Sequence, residues 1–494
     1  AGMESSGDRK KRAVRMADRV ATISQCLALT LYLVLLGGCL VGPDYHRPKV
    51  DTPQQWRFTE QDARDLADTD WWRQFDDPVL DDLIMIALRD NKDLRIAAAR
   101  VEEFRGRVAI VRSPLFPQVS AGASAGKERS TERGQSRLPV TAPNPTPLYQ
   151  ASLSASWELD LWGKVRRSTE SARADLLASE EGKRGVILSL VASVAAGYVN
   201  LLDLDRQLEI ATRTVRSREE SYRIFTLRFN AGYISNLELS QVRSEYEGAL
   251  ATIPAIQKEI ALQEDALSLL LGHNPGAIQR GRSIDTLGLP AVPAGLPSQL
   301  LERRPDIRQA EQQLISANAQ IGAARAQFFP SISLTGLFGW ESTNLSQLFT
   351  GPARMWNFAA PITQPIFTAG AISGGVKVAE AAREEALFNY QKVIQSGFRD
   401  VEDALIDQRR SREQLDAQVS QVEALRLYAR TARLRYENGY TSYLEVLDAE
   451  RSLFDAELGA ARTKGILLQA LINLYKAMGG GWIARAESMS GGSR

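Results

Sequence analysis

The chain contains two copies of one sequence pattern, and this repeat constrains the fold more than any other feature. Residues 227–239 align with residues 434–446 at an offset of 207, and seven of the thirteen pairs are identical. Upstream, the Phe-Pro pair at 116–117 matches the pair at 329–330 at an offset of 213. Self-similarity on this scale predicts two equivalent structural units of about 200 residues each. The predicted boundaries are repeat 1 at 90–272, a linker at 273–302 and repeat 2 at 303–479.

Each copy has the same order of predicted secondary structure. A helix rich in Ala and Arg ends at the Phe-Pro pair, a β-hairpin follows, and a long helix without proline then turns at a Gly-Tyr pair and returns. The predictions are first helices at 94–112 and 306–327, β-hairpins at about 117–162 and 330–368, and long helices at 164–229 and 371–437. Helices of this length, about 100 Å at 1.5 Å per residue, favour coiled-coil packing. We expect Pro254 to interrupt the first return helix.

The clearest strand pattern runs from Gln150 to Leu161, where polar and apolar residues alternate for twelve positions. Twelve residues tilted near 45° span about 28 Å, the thickness of a hydrocarbon core. Such alternation is typical of a transmembrane barrel strand, although one strand of a soluble sandwich would look the same. Four predicted strands per chain leave unpaired edges, which lipid does not tolerate. The membrane interpretation therefore requires several chains, and three chains supply twelve strands.

The N-terminus has the features of a bacterial lipoprotein signal. Basic residues between Arg9 and Arg19 precede an apolar stretch at 26–36 and the tetrad Leu-Gly-Gly-Cys that ends at Cys39. We therefore expect residues 1–38 to be a signal peptide. Met16 is a plausible translation start, in which case residues 1–15 are an N-terminal extension. The tetrad resembles a lipobox, which implies a diacylglycerol and an N-acyl chain on Cys39. Residues 39–89 then form a lipid anchor and an N-terminal periplasmic segment, and residues 480–494 a C-terminal tail.

The composition excludes several classes of function. The 60 Lys and Arg balance 59 Asp and Glu, so the chain has no cationic excess with which to bind nucleic acid. Two His and two Cys in 494 residues leave little material for a metal centre or for histidine-based catalysis. We therefore expect no enzymatic activity, no metal and no cofactor other than the acyl chains.

A set of short motifs lies along the chain: Gly42-Pro43-Asp44-Tyr45, Trp71-Trp72, Asp77-Pro78, Arg304-Pro305-Asp306-Ile307, Phe329-Pro330 and Leu474-Tyr475-Lys476. Together they resemble the motifs of the outer-membrane factor family, the TolC-like efflux channels, and most closely its OprM-like lipoprotein branch. The resemblance covers about residues 39–482. The resemblance implies an α+β membrane protein: a homotrimer whose twelve strands close an outer-membrane barrel above a long periplasmic α-helical coiled-coil barrel. It also implies docking to a periplasmic membrane-fusion adaptor and to an inner-membrane pump of the RND type.

Two Gly-Tyr pairs mark the turns between the long helices, Gly232-Tyr233 in the first copy and Gly439-Tyr440 in the second. Glycine at the end of a helix supplies a left-handed backbone conformation. The resemblance adds a function, since the periplasmic tips of this family contact the adaptor. Both interpretations apply to the same residues.

Four residues after the second turn form the predicted periplasmic gate: Leu444, Glu445, Asp448 and Arg451. Spacings of three and four residues place them on one helical face. By resemblance, Glu445 and Asp448 match acidic positions that ring the closed periplasmic entrance, Leu444 matches an apolar constriction, and Arg451 is a candidate partner for the acids. The alternative is a simple intrahelical pair between Asp448 and Arg451. The first copy has Glu238 and Gln241 at the equivalent positions, so only the second copy is expected to carry both acids.

The leading hypothesis is a passive exit duct of a tripartite efflux system for drugs or other small solutes. The same fold also serves type I protein secretion, which remains an alternative. A third possibility, from a different class, is a lipid-anchored coiled-coil structural lipoprotein. That scaffold would not need the twelve alternating positions of 150–161.

Overall fold

The computed structural model describes residues 40–57, 70–129, 131, 144–290 and 297–491. The predicted signal peptide and Cys39 lie outside these residues. The chain divides into two compact units. The strand unit comprises the described parts of residues 1–47, 103–176 and 312–387, and the helix unit comprises those of 48–102, 177–311 and 388–494.

Eight helices of eight residues or more form in the described part of the chain. They are α1 (Pro78–Asp90), α2 (Lys92–Arg112), α3 (Lys164–Asn230), α4 (Asn236–Leu270), α5 (Pro305–Ala326), α6 (Ala371–Glu437), α7 (Tyr443–Met478) and α8 (Trp482–Gly491). The two longest, α3 and α6, have 67 residues each, as the repeat predicts. Pro254 lies inside α4, and the helix continues through it. The expected interruption is therefore wrong.

The strand unit holds one antiparallel sheet. Its strands are β1 (Gln118–Glu128), β2 (Thr146–Leu159), β3 (Ser331–Ser342), β4 (Arg354–Ala359) and β5 (Ile362–Thr363). The order is β1-β2-β3-β4, and β5 also pairs with β3. The second half of the hairpin predicted at about 330–368 thus consists of two short strands. The second hairpin otherwise has the predicted antiparallel form.

The register of the sheet separates an apolar face from a polar face. Opposite residues of antiparallel strands point to the same side. Leu153 of β2 lies opposite Ala121 of β1 and Phe338 of β3, and Phe338 lies opposite Trp356 of β4. The neighbouring row is polar where Ser154 lies opposite Ser120, and their hydroxyl oxygens are 2.7 Å apart. The alternation of β2 therefore continues into β1, whereas Leu337 of β3 lies opposite Ser154 and Arg354 of β4 lies opposite Trp340.

The helix unit is organised around an aromatic core. Trp71 stacks on Tyr475 with ring centroids 5.2 Å apart, and Trp72 packs edge-on against Trp482 at 5.4 Å. The rings of these four residues are buried. The segment 480–494, predicted as a C-terminal tail, therefore contains α8, whose Trp482, Ile483 and Ala486 belong to the core of the helix unit.

The apolar part of α3 belongs to the same core. Among the described residues, α3 alone contains an 18-residue window apolar enough to cross a bilayer, with a mean hydropathy of 1.9, and 61% of that window is buried. Ile187, Val194 and Tyr198 of α3 are members of the aromatic core cluster. Packing against Trp71 and its neighbours therefore accounts for the apolar composition of this helix.

Candidate functional site

The two turns between the long helices have the same backbone geometry. Gly232 and Gly439 have φ angles of +75° and +76°. The N–H of Tyr233 donates to the carbonyl of Arg228 at 2.9 Å, and the equivalent bond in the second copy is also 2.9 Å. This is the Schellman arrangement, which requires a left-handed residue after the helix. Open space surrounds both glycines, so backbone conformation rather than crowding selects glycine here.

The side chains that follow the glycines project from the protein. Tyr233 is 82% exposed and Tyr440 is 77% exposed. Large aromatic groups are costly to leave in water and are enriched where proteins bind one another. Their paired exposure is consistent with a contact surface at the two turns, here called the tip.

A small buried cluster connects the two helical hairpins behind the tip. Phe225 of α3 and Tyr443 of α7 lie with ring centroids 4.2 Å apart. Val242 of α4 and Ala432 of α6 belong to the same cluster, and so do Val446 and Ala449 of α7. All four long helices therefore contribute to one packed layer within a single chain, and this layer fixes the start of α7.

The first turn of α7 presents the predicted gate residues in different ways. Leu444 is 61% exposed and faces away from the buried layer. Glu445 is half-buried and turned back toward its own hairpin, where Arg435 lies 3.1 Å from it and the Thr441 hydroxyl donates to it. Asp448 is exposed and lies 3.2 Å from Arg451. The intrahelical pair that competed with the gate interpretation is thus present in the single chain, and the gate assignment stays a prediction.

The equivalent glutamate of the first copy has another role. Glu238 accepts a hydrogen bond from the backbone N–H of Ser235 at 2.8 Å, and the Ser235 hydroxyl caps the N-terminus of α4. This is a capping box, a device that satisfies helix N–H groups. The side chain of Ser442, at the same position before α7, makes no such cap bond. The two glutamates therefore differ in what they bind although their sequence contexts match.

A buried ionic group, which the sequence analysis does not single out, lies between the gate residues Asp448 and Arg451 in the sequence. Glu450 lies 3.3 Å from Arg433, and its side chain is only 19% exposed. Burial raises the pKa of the Glu450 carboxyl, and Arg433 and Arg218 oppose that shift. The sequence signal for this burial is helical spacing: Glu450 follows Tyr443 and Val446 on the buried stripe of α7. An unpaired charge at such a position would be destabilising.

The segment that follows the predicted lipidation site is held firmly. Arg167 is buried, donates to Asp44 at 2.8 Å, and reaches the backbone carbonyl oxygens of Val41 and Gly42. This contact lowers the pKa of the Asp44 carboxyl. A Cβ on Gly42 would lie 2.4 Å from the Cα of Gly322, so only glycine permits this approach. Leu40–Asp44 is therefore fastened to the strand unit at the point where an acyl chain on Cys39 would begin.

Comparison with known proteins identifies the family. The model of the outer membrane efflux protein family matches residues 83–273 and 296–480. The antibiotic efflux pump outer membrane protein ArpC of Pseudomonas putida is 38% identical over 468 residues, which are 92% of this chain and 95% of that protein. The probable outer membrane lipoprotein SilC of Salmonella typhimurium is 36% identical over 462 residues, 92% of this chain and 98% of its own length.

Solved structures agree with the sequence matches. The crystal structure of the open state of the Neisseria gonorrhoeae MtrE outer membrane channel superimposes with a TM-score of 0.80 and 34% identity. That alignment covers 90% of this chain and 99% of MtrE. The predicted resemblance is thereby confirmed: this chain belongs to the outer membrane efflux protein family.

Proposed function

We propose that the protein is the passive exit duct of a tripartite efflux system, through which drugs or other small solutes leave the cell. Family membership makes it an outer-membrane efflux protein, and the family consists of channels rather than enzymes. The observation that carries the mechanism is the sheet, in which an apolar row runs from Ala121 through Leu153 and Phe338 to Trp356 beside the polar pair Ser120 and Ser154. A duct needs this separation, because one face meets lipid and the other lines water.

The assembly we propose is a homotrimer with a twelve-stranded barrel. Among the described strands, β1 pairs with β2 alone and β4 pairs with β3 alone, so each chain offers one free edge on either side. Open edges are not tolerated in a bilayer. Joining β1 of one copy to β4 or β5 of the next removes every edge, and three copies give a barrel of ordinary size.

Two tryptophans of the apolar face lie at different depths in the proposed barrel. Trp157 lies near one end of β2, and Trp340 lies opposite Ala151, six residues away along that strand. At about 3.4 Å per residue and a tilt near 45°, the two levels are about 14 Å apart along the membrane normal. Apolar bands of transmembrane barrels are about 25 Å tall. Both tryptophans therefore fit within the height of one such band.

The helical hairpins would supply the periplasmic end of the duct. Leu444, Glu445 and Asp448 lie one turn behind the tip, and three copies of each would meet around a threefold axis. Like charges brought together repel, so Arg435 and Arg451 are needed to neutralise them in the closed state. Contact of an adaptor with Tyr233 and Tyr440 at the tip would separate the hairpins and open the mouth. An RND-type inner-membrane pump would supply the energy.

Lipidation of Cys39 would add a second attachment to the membrane. The supporting observation is the fastening of Asp44 to Arg167, which holds the chain next to the strand unit directly after the cysteine. SilC, a relative of similar length, is named an outer membrane lipoprotein.

The proposal is tested by reconstitution of the purified protein in planar bilayers, together with mass measurement of the native assembly. We expect a trimer that forms discrete ion-conducting channels with a preference for cations. A monomer, or a trimer that never conducts, would contradict the duct. As a control for the barrel, a chain lacking β4 and β5 should fail to form channels, because one edge of each sheet would then have no partner.

A further inference from the structure

The helix unit contains a cavity of about 410 Å³ between α3, α6 and α7. Five arginines from α3 and α6 line it, and Glu450, Leu453 and Phe454 of α7 complete its wall. We call this cavity the arginine cavity. Its five arginines are Arg213, Arg218, Arg426, Arg430 and Arg433. Neither the gate residues nor the exposed tyrosines of the tip contribute to this lining.

Carboxylates neutralise only part of this charge. The ion pairs are Arg213 and Arg426 with Glu457, Arg218 with Glu245, and Arg433 with Glu450. Among the described residues, no carboxylate lies within ion-pair distance of Arg430, although its side chain is on the same wall. Five guanidinium groups thus face three carboxylates, which leaves an excess of two positive charges.

The surroundings strengthen the effect of that excess. Arg218 is only 8% exposed, and its guanidinium lies 5.4 Å from the centroid of the Phe454 ring. Glu457, shared by two arginines, is only 10% exposed. Charges beside an apolar wall are screened less than charges in water, so repulsion is strongest around the buried Arg218. Arg430 is exposed, so its guanidinium is open to an anion from solvent. A bound anion would reduce the repulsion between Arg430 and its neighbours.

The geometry of arginine indicates which anion fits. The guanidinium group is a planar fork of N–H donors that matches the oxygens of phosphate, sulfate or a carboxylate. The volume of the cavity lies within the range of small-molecule sites, about 300–1,000 Å³. We propose that the arginine cavity binds a small oxyanion, with Arg430 as its free ligand and Arg426 and Arg433 beside it. The anion links α6 to α3 within one chain, and this role is independent of the duct.

Isothermal titration of the full-length protein in detergent with inorganic phosphate tests the site. Ionic strength is held constant with chloride, because screening alone changes the strength of exposed ion pairs. We expect saturable binding to the wild-type protein and binding about tenfold weaker to Arg430→Gln, which loses one charge-assisted contact. Arg430→Lys keeps the charge without the planar fork, so its affinity should be intermediate.

Arg410→Gln is the matched control. Arg410 lies on α6 as Arg430 does, is exposed, and pairs with Glu413 of its own helix outside the cavity. Its substitution should leave phosphate affinity unchanged, and circular dichroism should show the same helix content for every variant. The proposal is overturned by absence of saturable phosphate binding to the wild-type protein. Equal affinities of wild type, Arg430→Gln and Arg410→Gln would also overturn it.

Discussion

Replacing Leu153 with arginine tests the orientation of the sheet most directly. Leu153 lies in the middle of β2, is 50% exposed in the single chain, and has apolar residues opposite it on both neighbouring strands. If this face meets lipid, the arginine lies near the bilayer midplane, where it costs about 2–4 kcal/mol. A trimer carries three such residues, so the total penalty is about 6–12 kcal/mol. That is comparable to the whole stability of an ordinary domain.

The adjacent residue supplies the control. Ser154→Arg removes one hydroxyl contact with Ser120, worth about 1 kcal/mol, and places the new charge on the polar face. Leu159→Arg, on the apolar face but at the end of β2, should cost only about 0–1 kcal/mol because it lies near the interface. The expected order of tolerance is therefore Ser154→Arg and Leu159→Arg well above Leu153→Arg.

The assay is the amount of trimer recovered in isolated outer membranes, followed by its denaturant midpoint in lipid vesicles. Leu153→Ala reports the effect of lost volume alone and should be much milder than the arginine. Equal recovery of Leu153→Arg and Ser154→Arg would refute the assignment of the two faces. If Leu153→Arg and Leu159→Arg reduce trimer recovery equally, the cost of the arginine does not depend on its depth in the membrane. That result is expected of a soluble sandwich.

Three further predictions concern the anchor, the gate and the helix core. Mass spectrometry of the mature protein should find an acylated cysteine at Cys39, whereas Cys39→Ala with a cleavable signal should still insert through its barrel. Asp448→Ala combined with Glu445→Ala should weaken cation selectivity in single-channel recordings, and Leu444→Ser should raise the resting conductance; unchanged values in both would place the constriction elsewhere. Burial raises the pKa of Asp203 to about 6, so the folded state binds its proton more tightly than the unfolded state. Stability should therefore rise as the pH falls from about 6 toward 4, by up to about 3 kcal/mol. Asp203→Asn should raise the unfolding temperature at pH 7.5 and reduce this pH dependence, and a lower temperature would contradict the assigned cost of burial.

The repeat predicts most of the helical architecture because the signals are local. A run without proline and with apolar residues at helical spacing predicts 164–229, and α3 extends from Lys164 to Asn230. The alternation of apolar and polar residues likewise predicts β2, where each residue's face depends only on its own position. The error at Pro254 has a different origin: tertiary packing of α4 outweighs the local preference of proline, and Ile256 beside it is buried.

Contacts between distant parts of the chain could not be obtained in this way. Trp71 and Trp482 are more than 400 residues apart in the sequence, yet their rings lie 6.3 Å apart. Neither segment carries a local signal for this contact, so the sequence predicts only a tail at 480–494. The same holds for the arginine cavity, whose arginines come from α3 and α6 and have no sequence pattern that links them.

In the proposed channel, the small differences between the two copies would matter more for gating than their similarity. Six equivalent hairpins in a trimer would give a tunnel of nearly sixfold symmetry, with no reason for any hairpin to close further than the others. In the first copy Glu238 caps α4, whereas in the second Glu445 is bound by Arg435 near the end of α6 and by Thr441 of the turn. Ion pairs near the protein surface contribute about 0.2–1 kcal/mol, so modest external contacts can break them. In the proposed trimer, a hairpin held by such pairs would move while its capped neighbour stays in place, and three of the six hairpins would then form the gate.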